Sequence, residues 1–302
     1  MQGANFNHPM RAKAEERAPE RPREMAQEVG NIELEKALEE LLADASFDCV
    51  RWVKMTTSTQ DLARSLVRMS EAPVTAVHVA DGQSAGRGTH GRRWRGAQGT
   101  LMLTITAPLA VPLEECSGLA PAVGIAAARA LRSANSGVGV KWPNDLWLAD
   151  GKLAGILCET CRDKAGGLHV AAGIGVNIAL DSEVSAALAA GGCRASALFS
   201  QAADSLSDSV LAEKRLSLAA LLARTVAGVI SGFSPTLRAE LFSHWPAYDA
   251  FAGRRVRVFA AEGGTQTDLA VGVDCGISPA GELIIETDDG RRRFATGSLR
   301  PL

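Results

Sequence analysis

Between two apolar runs of this chain lies a segment that suits neither a helix nor a strand. Gly82 to Trp94 reads GQSAGRGTHGRRW, while Thr75–Ala80 before it and Thr100–Thr106 after it read as buried strands. Four arginines (Arg87, Arg92, Arg93 and Arg95) stand there within nine residues. Glycines supply positive φ angles and close backbone approach, and arginines supply charge and forked donors. Such a composition predicts a loop wrapped round an anion, a phosphate or a carboxylate. The competing reading is a solvated basic surface loop.

Two familiar patterns overlap in this segment, and neither fits. Gly86-Arg87-Gly88-Thr89-His90-Gly91 satisfies G-x-G-x-x-G. A dinucleotide fingerprint needs a helix after its glycines and an acid about 20 residues on. Here Arg92-Arg93-Trp94-Arg95-Gly96 leads into a strand, and the next acid is Glu114. Gly82-Gln83-Ser84-Ala85-Gly86 satisfies G-x-S-x-G, but a nucleophile elbow also turns directly into a helix.

At 302 residues the chain suits one large or two smaller domains. A net charge of −2 gives no general attraction to nucleic acid or an anionic membrane. No apolar run approaches the about 20 residues that span a bilayer, and no signal core opens the chain. The expectation is a cytoplasmic protein without membrane or nucleic-acid partners. The six cysteines are scattered, which argues against a disulfide framework. Cys158-Glu159-Thr160-Cys161 has no second pair to complete a zinc ribbon and opens no helix, so free thiols on a strand are expected.

Residues 1 to about 30 are rich in Arg, Glu, Pro, Ala and Gln, which predicts a disordered leader, with Met10 or Met25 as alternative starts. Ile32–Leu42 predicts a short amphipathic helix and Cys49–Met55 a strand. Thr57-Ser58-Thr59-Gln60-Asp61 places hydroxyls at the N-cap of a helix reaching about Met69. An Ala-rich helix follows over Ala120–Leu131, and Val138–Trp142 begins the next strand. Asp150-Gly151 is a hairpin signal, with paired strands over Lys152–Cys158 and Leu168–Ile178. Ser182–Ala190 reads as helix, and the Gly/Ser/Ala-rich stretch to about Asp208 as a mobile loop. Leu211–Ile230 and Pro235–Trp245 read as helices.

Beyond Gly253 the pattern becomes short strands, Arg254–Phe259, Thr267–Cys275, Glu282–Glu286 and Arg291–Ala295, parted by Gly-containing turns. That spacing predicts a small SH3-like barrel. The expected division is a leader with a short helix over 1–45, a catalytic domain over 46–250 and the barrel over 253–302.

Lys141-Trp142-Pro143-Asn144-Asp145 puts an ammonium, an indole, a rigid turn, an amide and a carboxylate within five residues. Lys152 follows seven residues past Asp145 and opens a strand in which Gly155 invites close approach. Taken alone, Trp142 reads equally as core and Asn144-Asp145 as a turn.

Together KWPNDL, GKLAGIL and GQSAGRGxxGRxW resemble the biotin–protein ligases, from about Trp52 to Leu302, including Ser58-Thr59-Gln60 and the run GIGVN at Gly173–Asn177. The resemblance implies an α/β (α+β) fold like that of class II synthetases, with a mixed sheet, helices packed on one side and the C-terminal barrel. It implies a C–N bond-forming ligase that joins biotin to ATP, releases pyrophosphate and holds biotinyl-5′-adenylate until a carrier lysine attacks. Arginines, lysine and Mg²⁺ carried on the ATP phosphates would offset the repulsion between carboxylate and polyphosphate. The implied partner is a biotin carboxyl carrier protein, and the enzyme a monomer or homodimer. A lipoate–protein ligase of the same fold is the nearest alternative.

By matching position, Ser58, Thr59, Gln60 and Gln83 are implied to line the biotin pocket. Arg87, Gly88 and Thr89 would cover the biotin carboxylate and adenylate phosphate, and Lys152 would hold their oxygens. Arg92, Trp94, Lys141, Asn144 and Asn177 are implied to face ATP or the adenylate. Asp145 is assigned to orienting or deprotonating the incoming lysine, whose pKa of about 10.4 must be overcome before attack. The catalytic set is thus Lys152, Arg87 and Asp145, with no protein-held metal.

Three departures from the family pattern stand out. Gln60 replaces a common Asn, and Thr89 replaces a common Arg, which predicts faster leakage of the adenylate. About 45 residues precede the first strand, too few and too polar for a winged helix-turn-helix, so no repressor function is expected.

Overall fold

A computed structural model describes residues 30–94, 96, 99–180, 186, 194–262 and 265–302. The expected leader before residue 30, the helix expected over Ser182–Ala190 apart from residue 186, Arg95 and Cys193 lie outside the described residues.

Seven strands form a mixed sheet: β1 (Cys49–Thr56), β2 (Ala76–Gln83), β3 (Thr100–Pro108), β4 (Gly139–Lys141), β5 (Asp145–Leu148), β6 (Gly151–Arg162) and β7 (Leu168–Asn177). Their order is β1-β2-β3-β7-β6-β5-β4. β1 and β2 run parallel, and every other pairing is antiparallel. Strand alternation sends Leu101, Leu103 and Ile105 of β3 to one face, into a core shared with α1 (Ile32–Leu41), α3 (Leu119–Leu131) and α4 (Asp208–Ser231). The small side chains of α3 allow close approach, and all but two of its 13 residues are buried.

The opposite face carries Met102 and Thr104 of β3, with a single helix, α2 (Thr59–Met69), laid beside them. The Ser58 hydroxyl caps this helix by accepting from Gln60 N, as the hydroxyl cluster predicts. Each edge strand accepts a backbone hydrogen bond from a segment outside the sheet, which occupies part of the edge otherwise open to pairing. Asn31 N donates to Trp52 O at 2.7 Å on the β1 edge, and Ala250 N donates to Val140 O at 3.0 Å on the β4 edge.

Several elements differ from expectation. Strand β5 emerges from what reads as a turn, because Asp145–Leu148 pairs with β4 on one side and β6 on the other. The helix expected over Pro235–Trp245 ends as α5 at Ser243, and Trp245–Tyr248 is a separate turn. Pro246 has no N–H with which to continue α5. The stretch expected to be a mobile loop is held from Arg194 onward. Lys152 N donates to Arg194 O at 2.8 Å, Ser196 N to Lys152 O at 3.0 Å, and Leu198 N to Asn177 O at 2.9 Å.

The C-terminal region is a five-stranded antiparallel sheet: β8 (Arg255–Glu262), β9 (Thr265–Ile277), β10 (Leu283–Thr287), β11 (Gly290–Phe294) and β12 (Ser298–Pro301). Its order, β11-β10-β9-β8-β12, adds one strand to the four expected, since β12 returns to pair with β8. Val256, Val258, Leu283 and Leu299 belong to the same hydrophobic core as the large sheet. Trp142 Nε1 donates across the junction to Gly281 O at 2.9 Å. No described helix is long and apolar enough to cross a membrane.

Candidate functional site

A pocket of about 500 Å³ opens on the α2 face of the large sheet. Its floor is glycine. Gly175 of β7 lies between Met102 and Gly155, and Gly173 lies between Thr104 and Leu157. The Trp94 indole occupies the space above Gly155 and Gly175, and a Cβ on Gly175 would stand 2.3 Å from Trp94 Cε2. Trp94 Nε1 is buried with no hydrogen-bond partner among the described residues.

One end of the pocket is a network of hydroxyls and amides. Thr59 N donates to Gln83 Oε1 at 2.7 Å, and Thr104 Oγ1 lies 2.9 Å from Thr59 Oγ1 and 3.1 Å from Gln60 Oε1. Gln60 is 2% exposed, and its Nε2 donates to Ala171 O at 2.9 Å. The methylene that distinguishes Gln60 from asparagine is accommodated because Gly173 lacks a side chain; a Cβ there would stand 2.6 Å from Gln60 Oε1. Thr104 is absent from the sequence-derived site. Its signal was a hydroxyl at alternate spacing within the apolar run TLMLTIT.

The other end is cationic. Lys152 lines the pocket, and its Nζ lies 2.6 Å from Asp145 Oδ1. Lys141 Nζ lies 2.7 Å from the other oxygen, Oδ2. Asp145 and Lys141 are 8% and 9% exposed and stand behind Lys152 rather than lining the pocket, so direct contact of Lys141 with a nucleotide is not supported. Burial alone would raise the Asp145 carboxyl, but the charges of Lys141 and Lys152 hold it well below the usual carboxylate range. A carboxylate so held is a poor proton acceptor. The deprotonating role expected for Asp145 therefore does not fit this arrangement, and its contacts are with Lys141 and Lys152 rather than with the pocket where an incoming lysine would arrive. Asn144 and Asn177 line the pocket, with Nδ2 atoms donating to Ile156 O at 2.7 Å and to Lys152 O at 3.3 Å.

The Arg/Gly loop closes over the pocket as a self-bonded turn. Gly88 N donates to Arg92 O at 2.7 Å and Trp94 N to Gly86 O at 3.0 Å. Arg92 Nη2 donates to Thr89 Oγ1 at 2.9 Å, Arg93 bonds Ser84 O, and Arg87 pairs with Asp61 on α2. Arg87, Gly88, Thr89 and Arg92 all line the cavity, as does Arg93, which the sequence-derived site omitted.

The C-x-x-C pair carries no comparable chemistry. A spacing of three along β6 sends the two thiols to opposite faces of the sheet, and burial pushes the Cys158 thiol up to about 12. Among the described residues no group of three or more His, Cys, Asp or Glu side chains is placed to hold a metal ion.

Residues 52–177 match the model of the Biotin/lipoate A/B protein ligase family. The chain is 30% identical over 225 residues to the bifunctional ligase/repressor BirA of Escherichia coli (strain K12), covering 74% of this chain and 65% of that one. It is 40% identical over 109 residues to the biotin–[acetyl-CoA-carboxylase] ligase of Paracoccus denitrificans, covering 33% of this chain and 43% of that one. The chain thus spans less than two thirds of the length of these relatives. In fold it is similar to the biotin protein ligase from Aquifex aeolicus in complex with biotin and ATP, with a TM-score of 0.55 at 23% identity, covering 83% of this chain and 98% of that one. Across residues 52–177 the chain therefore carries a domain of the biotin/lipoate A/B protein ligase family, built on the fold of the biotin protein ligases.

Proposed function

We propose that the chain is an ATP-dependent biotin–protein ligase. In this reading it condenses biotin with ATP to biotinyl-5′-adenylate, then passes the biotinyl group to a lysine of a biotin carboxyl carrier protein. The observation that carries the reading is one pocket with two unlike ends. A hydroxyl and amide network at the buried Thr59, Gln60 and Thr104 and the half-buried Gln83 suits a ureido group, and the cations Lys152, Arg87 and Arg92 suit a carboxylate and phosphates.

In the first step a biotin carboxylate oxygen attacks the α-phosphorus, and the bond to the bridging oxygen breaks to release pyrophosphate. Lys152, Arg87 and Arg92 would offset the repulsion between the two anions. In the second step the neutral carrier amine attacks the acyl carbon, the bond from that carbon to the AMP oxygen breaks, AMP leaves with the electron pair, and the amine's proton passes to solvent. Asp145 acts here by orienting Lys152. Mg²⁺ would arrive on the ATP phosphates. The expected setting is the cytoplasm, as a monomer or homodimer. Operator DNA is no part of this reading.

The test is mass spectrometry of a carrier domain after incubation with the protein, ATP-Mg²⁺ and either biotin or lipoate. One lysine should gain the biotinyl mass, and Lys152→Ala should abolish the gain. Modification by lipoate alone would replace this reading with that of a lipoate ligase.

A further inference from the structure

The Lys141–Asp145–Lys152 chain has a charge arithmetic that the pocket alone does not explain. Lys141 and Asp145 are register partners on β4 and β5, and Asp145 in turn is the register partner of Gly155 on β6. Each carboxylate oxygen is taken by a different ammonium, at 2.7 Å and 2.6 Å. Of the three side chains Lys152 is the most exposed, at 24% against 11% for Lys141 and 12% for Asp145. An isolated Asp145–Lys152 pair would be neutral, and the carboxylate would compete with any incoming anion for the same ammonium. A second, buried lysine on the far oxygen changes that balance. The three groups carry one net positive charge, and Lys152 is the member that faces the cavity.

We propose that Lys141 is a positioning residue that never touches substrate: it satisfies Asp145 from behind, so that Lys152 presents a net positive charge to anions in the pocket. The other charged and aromatic groups in reach agree with this. Lys141 Nζ lies 5.5 Å from the Trp147 ring centroid and Lys152 Nζ 5.8 Å from that of Trp94, and both π faces tolerate a cation. The rest of the chain of contacts is closed. β4 is held by β5 on one edge and by Ala250 on the other, so Lys141 has little freedom to swing toward the cavity.

The proposal rests on an anion-binding role for Lys152, and its test needs no turnover. Binding of inorganic pyrophosphate is measured by calorimetry for the wild type and for Lys141→Met, Asp145→Asn and the double variant. Lys141→Met brings the group to zero net charge and should weaken pyrophosphate by about tenfold or more. The double variant restores one net positive charge and should recover most of that loss, while Lys141→Arg should bind nearly as the wild type. Thermal unfolding of each variant confirms that it is folded. If Lys141 instead contacts the anion directly, the double variant binds no better than Lys141→Met, and the proposal is overturned. If the wild type binds pyrophosphate but does not modify a carrier with biotin, the ligase reading fails while the charge arithmetic stands.

Discussion

Two carboxylates, Asp274 buried and Asp249 half-buried, lie where the C-terminal sheet meets the large one, and neither has a cationic partner among the described residues. Asp249 accepts from Trp245 Nε1 at 2.8 Å and from Phe251 N at 2.9 Å. Asp274 on β9, 2% exposed, accepts from Gly276 N at 2.8 Å. Burial, reinforced by the charge of Asp249, pushes the Asp274 carboxyl up from 3.8 to about 7, and burial raises Asp249 as well. The sign follows from linkage. A carboxyl raised in the folded state binds its proton more tightly than in the unfolded chain, so stability is fully present below about 4 and falls as pH rises through about 7.

Asp274→Asn keeps an acceptor for Gly276 N and removes the titration. Each pH unit between the two limits is worth about 1.4 kcal/mol for one proton, and the two acids share the effect. The variant's advantage over the wild type should therefore grow by about 2 kcal/mol from pH 5 to pH 8. In a chain of this size that is a widening of roughly 4 °C in Tm. Urea unfolding of both proteins at pH 5, 6, 7 and 8 measures the difference directly and cancels every other titrating group. A difference that is flat with pH, or a variant less stable at pH 8, would refute the reasoning.

Two further substitutions address the pocket. Thr89→Arg adds a cation to the loop at the position where Arg92 now bonds the threonine hydroxyl, and it should lengthen adenylate residence in a filter-binding assay; an unchanged residence time sinks the idea. Gly175→Ala places a methyl carbon 2.3 Å from Trp94 Cε2 and should force that ring off the sheet. Because Trp94 sits on the loop, the cost should appear as weaker biotin binding, by about tenfold, with Tm nearly unchanged. A fall in Tm with intact affinity would show the ring to be plain core.

What the sequence disclosed is what lies contiguous in it. The hydroxyl cluster before α2, the Arg/Gly loop, KWPND and GKLAGIL are each runs of a few residues, and local chemistry constrained each one. What it concealed depends on sheet order. Gln60 meets Thr104 and Ala171 only because β7 inserts between β3 and β6. Strand β12 was missed because four residues with one buried apolar side chain carry no period. Strand β5 was missed because Asn144-Asp145 after proline has the composition of a turn.

The same reasoning accounts for the misplaced members of the site. Within KWPND, proximity in sequence suggested Lys141 and Asn144 against the nucleotide and Asp145 beside the incoming lysine. The register instead makes Lys141 and Asp145 partners across a hairpin, and the next strand brings Lys152 in front of both. Of the three, only Asn144 reaches the cavity. The motif therefore contains one residue of the pocket wall and two that govern the charge of a lysine seven positions further on. A preorganised cation needs such support, since an ammonium beside a single buried carboxylate would be neutralised before any substrate arrived. The Arg/Gly loop makes the complementary choice: Arg87 is paired with Asp61 at a solvent-exposed contact, where the bond is weak and an incoming anion can exchange for it.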